Sequence, residues 1–184
     1  ALTVGTLPWP VAGGMESAVL PGFVGFAVSE TGILSYGLGT ASSTGLRMVW
    51  VDRRGKVLET VGPAANYQGI ALSPDGKRIA AHHHESQGGD IWITELARGT
   101  TARFTFDATQ DNSSAVWSPD GKDIAFASRR NGKFGIYRKA ADNTGTEQLL
   151  LERLNAIAMR PVAWAPAAMF LRVPHGGTDQ DLGA

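Results

Sequence analysis

The tetrapeptide Ser73-Pro74-Asp75-Gly76 occurs a second time as Ser118-Pro119-Asp120-Gly121, 45 residues further along the chain. The flanking residues repeat at the same offset, in the pairs Ile79-Ala80 and Ile124-Ala125, and Ile91-Trp92 and Ile136-Tyr137. Self-similarity at a fixed period indicates a repeat protein, and about 40–45 residues is the length of one four-stranded propeller blade. We therefore predict an all-β fold, a partial β-propeller of about three to four four-stranded antiparallel blades.

Each repeated tetrapeptide predicts a tight turn, because Pro presets φ at the second turn position and Gly accepts the left-handed conformation. Around the first turn, alternating apolar residues predict strands at 67–72, 78–83, 90–96 and 101–106, with a loop at 87–89. The next unit predicts strands at 114–117, 123–128, 134–139 and 147–151. A looser copy precedes them, with strands at 23–28, 33–36, 47–51 and 56–61.

The repeat divides the chain into units. We predict an N-terminal segment at 1–22 (residues 2–20 being the last strand of a preceding blade), blades at 23–66, 67–111 and 112–157, an incomplete blade at 158–173 and a loose tail at 174–184. A blade alone leaves an apolar face bare, and closed propellers usually have about four to eight blades. We therefore expect either a segment of a longer propeller or self-association through the terminal blades into a homo-oligomer.

The composition excludes several classes of protein. Seventeen basic residues balance 17 acidic ones, so no strong field attracts nucleic acid. No apolar run approaches the roughly 20 residues of a membrane-spanning helix, so we expect no membrane insertion by this segment. Without cysteine the chain has no disulfide and no thiolate zinc site. The 23 glycines and 9 prolines suit short strands joined by turns.

The motif at 71–80, continued by Asp90-Ile91-Trp92-Ile93, resembles the WD40-like repeats of TolB-type β-propellers. Further stretches at 97–107, 116–121 and 135–139 resemble the propeller region that follows the kinase domain in acidobacterial-type serine/threonine protein kinases. The resemblance covers about residues 23–164. It implies a non-catalytic sensing or protein-interaction module in an extracytoplasmic (periplasmic) location, and it carries no set of ligand residues to this sequence. The kinase motifs themselves are absent from the sequence.

A run of polar residues at His82-His83-His84-Glu85 offers a candidate metal site. Because side chains alternate along a strand, His82 and His84 share one face and His83 points the other way. Two imidazoles at this spacing can bind zinc or nickel. Residues proposed to complete the shell are Glu85, Asp90 or the distant His175. The alternative is a set of solvated histidines at a strand end.

A hydrolase acting on an ester or lactone is the alternative function. The sequence has no Gly-x-Ser-x-Gly elbow, but a catalytic triad assembles in space rather than in sequence. The candidate base is His175 or His84, with Asp75 or Asp120 nearby.

Five aromatic residues recur at equivalent strand positions and are predicted to pack in the core between blades: Trp50, Trp92, Trp117, Tyr137 and Trp164. An aromatic platform for carbohydrate is the alternative. The basic stretch at 129–133 predicts a solvated hairpin tip. The Asp-Gly pairs lack calcium-loop spacing and are assigned as turn formers. Asn112-Ser113-Ser114 fits a glycosylation sequon, to which the bacterial resemblance gives no weight.

The sequence thus predicts a non-catalytic binding or sensor module for a protein or small-molecule ligand, with no cofactor other than the divalent metal considered above. Ligands of propellers bind where loops of several blades converge. The Ser-Pro-Asp-Gly turns (73–76 and 118–121) are expected on one rim, and residues 87–90 and 130–133 on the opposite rim. The sequence leaves open which rim binds.

Overall fold

The computed structural model describes residues 26–28, 34–38, 45–85, 88–107, 110–153 and 159–173. Within these ranges the regular secondary structure consists of fourteen strands. The strands are β1 (Phe26–Val28), β2 (Leu34–Leu38), β3 (Leu46–Val51), β4 (Val57–Ala65), β5 (Tyr67–Leu72), β6 (Arg78–Glu85), β7 (Gly88–Glu95), β8 (Thr100–Arg103), β9 (Ser113–Trp117), β10 (Asp123–Arg130), β11 (Lys133–Ala140), β12 (Gln148–Arg153), β13 (Arg160–Ala165) and β14 (Ala168–Arg172).

Consecutive strands pair in chain order into antiparallel sheets. Sheet 1 contains β1–β4, sheet 2 contains β5–β8, sheet 3 contains β9–β12 and sheet 4 contains β13–β14. The first strands of successive sheets contact one another, β1 with β5, β5 with β9, and β9 with β13. Four-stranded sheets arranged radially around their first strands are the blades of a propeller. The predicted all-β, partial-propeller fold is confirmed.

The two repeated tetrapeptides form the turns that join the first and second strands of sheets 2 and 3. The Ser73 hydroxyl donates to Asp75 Oδ1 (2.6 Å) and accepts from the backbone N–H of Arg78 (2.9 Å). Ser118, Asp120 and Asp123 repeat these two bonds at the same distances. Gly76 and Gly121 both have φ of 69°, which a residue without Cβ adopts at little cost.

Strand alternation gives each middle sheet two apolar faces. On β6, Ile79 and Ala81 pack with Met48 and Val61 of sheet 1 and with Tyr67 of β5. The intervening Ala80 packs in a second cluster with residues of sheet 3, including Trp117, Ile124 and Phe126. A third cluster, containing Ala125, Ala127, Ile136 and Met159, joins sheet 3 to sheet 4. The core is therefore a row of interfaces between stacked sheets, as repeat packing requires.

The five aromatic residues differ in environment. Trp117 and Tyr137 are buried in the cluster between sheets 2 and 3. Trp50 and Trp164 are half-buried and pack against the clusters on either side. Trp92 is half-buried and stacks on His83, with ring centroids 5.1 Å apart.

Most predicted strands match to within a few residues, and two of the boundaries that differ follow from specific pairing. Residues 88 and 89 were expected in a loop, but they begin β7, where Gly88 and Gly89 pair with Glu85 and His84. The strand expected at 101–106 ends at Arg103, because the N–H groups of Phe104 and Thr105 both donate to the Ile91 carbonyl (2.8 and 3.3 Å) and so interrupt regular pairing.

Several predictions fall on residues outside the described ranges: the strand at 2–20, the first part of the strand at 23–28, His175 and the tail at 174–184. In the part of the chain that is described, no helix has the length and apolar character needed to cross a membrane.

Candidate functional site at the histidine rim

The histidine run lies at the C-terminal end of β6, where the apolar interface between sheets 2 and 3 meets the rim. His82 and His84 follow Ala80 on the face toward sheet 3, and their rings lie edge to face with centroids 5.6 Å apart. His83 lies on the other face, between Tyr67 and Trp92, at centroid distances of 4.7 and 5.1 Å. The alternation of the strand thus separates one imidazole from the other two.

Asp111 meets these two histidines from the segment that connects sheet 2 to sheet 3. Its Oδ1 lies 3.7 Å from His82 Nε2 and 3.9 Å from His84 Nδ1. The potential ligand atoms of the three residues all lie within 4.8 Å of one another. Asp111 has φ of 46°, a left-handed conformation that Asp tolerates better than most residues.

Unpartnered polar atoms concentrate here. Within the described residues, the buried side-chain nitrogen and oxygen atoms without a hydrogen-bond partner are His82 Nε2, His83 Nε2, His84 Nδ1, Asp111 Oδ1 and Asn112 Oδ1. His82 is only 4% exposed. Burial, reinforced by the neighbouring charges of His84 and Arg160, lowers the pKa of His82 to about 3. Its imidazole is therefore neutral at pH 7.

Gly89 makes the close packing around His82 possible. A Cβ at this position would lie 2.0 Å from His82 Nε2 and 2.6 Å from the His83 carbonyl oxygen. The Gly89 carbonyl also accepts from the Asn112 N–H (2.8 Å). That bond ties the start of sheet 3 to the β6–β7 hairpin and so fixes the segment that carries Asp111.

Asp90 does not join the two histidines, contrary to one of the proposals from sequence. Its buried carboxylate accepts from Arg103, from the Thr105 hydroxyl and from Asn112 Nδ2 (3.0 Å). Strand alternation places Asp90 opposite His83 in the register. Glu85, another proposed ligand, is exposed at the hairpin end. The carboxylate beside the histidines comes instead from Asp111.

Arg160, the first residue of β13, adds a positive charge beside the cluster. The charge of Asp111 partly offsets the burial that lowers the pKa of Arg160, and Arg160 in turn lowers the pKa of His82. The site therefore combines two imidazoles, one carboxylate and one half-buried guanidinium, contributed by sheets 2 and 4 and by the segment before sheet 3.

The Ser-Pro-Asp-Gly turns lie at the other end of the strands. β6 rises about 3.3 Å per residue, so about 20 Å separates Arg78, beside the first turn, from His84. Arg78 Nη2 donates to the Gly121 carbonyl (2.9 Å), which places both turns on the same rim. The structure therefore does not bring His84, one of the two candidate bases, near Asp75 or Asp120.

The end of the sheets that carries the histidine run, called the histidine rim, also includes the hairpin that joins β10 to β11. In this hairpin Asn131 and Gly132 have φ of 52° and 78°. Arg129 in this hairpin is exposed, as expected of a solvated tip. Arg130 instead pairs with Glu147 and lies over the Tyr137 ring, 3.7 Å from its centroid.

Asn112 of the sequon is 1% exposed, and its amide already donates to Asp90 and to the Asp107 carbonyl.

Asp111, Arg160 and Gly89 were not identified from the sequence. Asp111 and Arg160 lie 27 and 76 residues beyond His84, Asp111 at the last position of the same predicted unit and Arg160 in the incomplete blade. Their proximity to His84 depends on how the sheets stack, and no local sequence pattern predicts that stacking. Gly89 could have been identified from the sequence, because a glycine inside a strand often marks the close approach of another group.

No protein-family model matches the sequence. Among solved structures the chain is similar to TolB from Acinetobacter baumannii, with a TM-score of 0.66, 22% identity, and coverage of 83% of this chain and 39% of that one. A putative TolB from Agrobacterium tumefaciens matches with a TM-score of 0.57, 21% identity, and coverage of 69% and 45%.

The β-propeller domain of the Trilobed protease from Pyrococcus furiosus matches with a TM-score of 0.56, 16% identity, and coverage of 88% and 52%. The chain thus spans about 39% to 52% of the length of these three structures. These similarities show that the chain has a β-propeller fold like that of TolB.

Proposed function

We propose that this chain is a non-catalytic binding module that takes a protein or small-molecule ligand at the histidine rim, the rim formed by His82, His84, Asp111, Arg160 and the β6–β7 and β10–β11 hairpins. The observation that carries the proposal is the clustering of unpartnered buried atoms at residues 82–84 and 111–112. Each such atom costs roughly 1–3 kcal/mol when no partner meets it. A ligand that supplies partners recovers this free energy.

The opposite rim, which carries the Ser-Pro-Asp-Gly turns, is a weaker candidate for the binding surface because its polar groups already have partners. The carboxylates of Asp75 and Asp120 each accept from a serine hydroxyl and a backbone N–H within their own turn. Arg78 adds bonds from one sheet to the next. These groups are satisfied inside the fold, so a ligand gains little by meeting them.

The resemblance to kinase-linked propellers supports a further part of the proposal: the chain belongs to a longer extracytoplasmic sensor protein. Balanced charge, with 17 basic and 17 acidic residues, favours a protein or small-molecule ligand over nucleic acid. Fractionation of the native cells, followed with an antibody to this chain, tests the location. Recovery with the cytoplasmic fraction would contradict it.

Self-association is proposed through sheet 4. Its two strands expose Phe170 (74%) and Val162 (56%), which is apolar surface that a neighbouring blade buries in a propeller. A second copy of this chain offers such a blade. The proposal is tested by light scattering, as set out in the Discussion.

A displayed random peptide library, panned against the immobilised chain in the presence of a chelator, tests the binding rim. We expect enriched peptides whose binding is lost with Asp111→Ala and kept with Lys122→Ala on the opposite rim. Absence of enrichment, or loss with Lys122→Ala alone, would contradict the proposal. The hydrolase alternative is tested separately: turnover of a chromogenic ester that disappears with His84→Ala would establish it.

A further inference from the structure

Three side chains at the histidine rim present unpartnered ligand atoms to one another. His82 Nε2 and His84 Nδ1 come from one face of β6, and Asp111 Oδ1 comes from the segment before β9. His82 is 4% exposed, so its Nε2 finds no bulk water. The three atoms are of the types that bind divalent metals: two imidazole nitrogens and one carboxylate oxygen.

We propose that His82, His84 and Asp111 form a three-ligand site for a divalent transition metal ion of the zinc class. This inference gives the proposed binding rim one specific ligand, and it rests on that rim being the binding surface. Two imidazoles and a carboxylate leave at least one coordination position for water or for a donor group of a bound molecule.

The spacing of the ligand atoms is close to that of an occupied site. Atoms around tetrahedral zinc, at about 2.0–2.1 Å from the ion, are about 3.3 Å from each other. Asp111 Oδ1 lies 3.7 and 3.9 Å from the two histidine nitrogens. All three ligand atoms lie within 4.8 Å of one another, so ion binding would draw the cluster together. Asp111 lies in a connecting segment rather than in a strand.

The surroundings restrict His82 and the segment that carries Asp111. Gly89 packs against His82 so closely that a Cβ there would lie 2.0 Å from Nε2. The bond from the Asn112 N–H to the Gly89 carbonyl, 2.8 Å, anchors the residue next to Asp111. Two elements of sheet 2 and the start of sheet 3 thus position the ligands before an ion arrives.

The positive charge of Arg160 beside the cluster gives a way to distinguish zinc binding from a merely structural role of these residues. Its guanidinium acts electrostatically on both His82 and Asp111, and its positive charge opposes the binding of a divalent cation beside them. Its removal should therefore tighten zinc binding, whereas removal of a residue that only supports the fold would weaken binding or leave it unchanged.

The test is isothermal titration of zinc chloride into the full chain, with any affinity tag removed. We expect one zinc ion per chain. Asp111→Asn and His84→Ala should each weaken binding at least about tenfold, and Arg160→Gln should strengthen it. His83→Phe is the matched control: His83 belongs to the same histidine run but faces sheet 1, and Phe keeps its contacts with Tyr67 and Trp92. It should bind zinc as the wild type does.

Imidazole NMR of the wild-type chain makes the test independent of variant folding. Zinc should shift the signals of His82 and His84 and leave those of His83 in place. Absence of saturable binding, equal loss with His83→Phe, or shifts confined to His83 would overturn the proposal. If zinc fails while chelator-treated protein still selects peptides at this rim, only the metal inference falls. If both fail, the proposed binding rim falls with it.

Discussion

The guanidinium carbon of Arg78 lies 4.6 Å from the ring centroid of Trp117, and this cation–π contact joins sheet 2 to sheet 3. Arg78 Nη2 also donates to the Gly121 carbonyl (2.9 Å), and Trp117 Nε1 donates to the Ala71 carbonyl (2.9 Å). Each partner therefore makes a second bond across the same interface. The contact therefore links the two Ser-Pro-Asp-Gly turns across the interface between sheets 2 and 3.

Replacement of Arg78 tests this junction. Arg78→Ala removes the contact with Trp117 and the bond to Gly121, so we expect the free energy of unfolding to fall by about 1–3 kcal/mol. Urea denaturation measures the change. Lys77→Ala, at the exposed neighbouring position, is the control and should lie within about 0.5 kcal/mol of wild type. Equal effects of the two substitutions would contradict the assignment.

The buried carboxylate of Asp90, which pairs with the partly exposed Arg103, should matter more for stability than any surface ion pair. Asp90→Ala leaves Arg103, Thr105 and Asn112 without their shared acceptor, and such a loss costs about 3–5 kcal/mol. The matched control is Asp123→Asn, which removes a partly exposed pair with Arg138 (4.0 Å) and should cost about 0.5 kcal/mol or less. Thermal unfolding of both variants distinguishes structural from peripheral carboxylates.

Gly89 should not tolerate a methyl group. Gly89→Ala places a Cβ 2.0 Å from His82 Nε2, so we expect about 1–3 kcal/mol of destabilisation and displacement of the His82 ring. Gly69→Ala is the control, because a Cβ at Gly69 meets no atom within 4 Å. Unfolding measurements together with the His82 imidazole NMR signal report the result. A stable Gly89→Ala protein with an unmoved His82 signal would show that the packing is looser than described.

The turn carboxylates should contribute stability that depends on pH. The Ser73 hydroxyl and the Lys77 N–H hold the pKa of Asp75 below its ordinary 3.8, and Ser118 does the same for Asp120. Since the folded pKa is the lower one, the stabilisation is complete above pH 3.8 and is lost as the pH falls through the folded value.

Carboxyl NMR titration of the folded protein measures both pKa values. Ser73→Ala removes the largest cause of the shift, so the pKa of Asp75 should rise toward 3.8 while that of Asp120 stays where it is. A pKa of Asp75 that does not respond to Ser73→Ala would show that the backbone bonds alone stabilise the carboxylate.

The exposed edge of sheet 4 predicts concentration-dependent association. Phe170→Ser should shift the light-scattering mass toward the monomer, because it removes the most exposed large apolar side chain of the described residues. Phe106→Ser, at another exposed aromatic residue (64%), is the control and should leave the mass unchanged. A wild-type chain that stays monomeric at high concentration would contradict self-association.

The sequence predicted the architecture because the repeat is local in character. Each Ser-Pro-Asp-Gly turn and its flanking apolar alternation specify a strand pair without reference to the rest of the chain. The predicted strand boundaries were wrong where hydrogen bonds to a neighbouring strand determine the residue at which a strand begins or ends. β7 begins at Gly88 because the tight hairpin pairs it with Glu85, and β8 ends at Arg103 because the Ile91 carbonyl captures the next two N–H groups.

Only part of the candidate site could be predicted from the sequence. The alternation along β6 placed His82 and His84 on one face, since both belong to one strand. The residue completing the shell was predicted to be Glu85, Asp90 or His175, whereas the carboxylate beside the two histidines comes from Asp111. Asp90 is engaged by Arg103, Thr105 and Asn112. Contacts between blades depend on how sheets stack, and no local sequence pattern encodes them.

An anomalous difference map at the zinc absorption edge, from crystals of this chain grown with zinc, tests the central claim most directly. The account predicts one peak at about 2.0–2.2 Å from His82 Nε2, His84 Nδ1 and Asp111 Oδ1. A map without a peak there, or with zinc bound only at His83, Glu85 or the opposite rim, would contradict it.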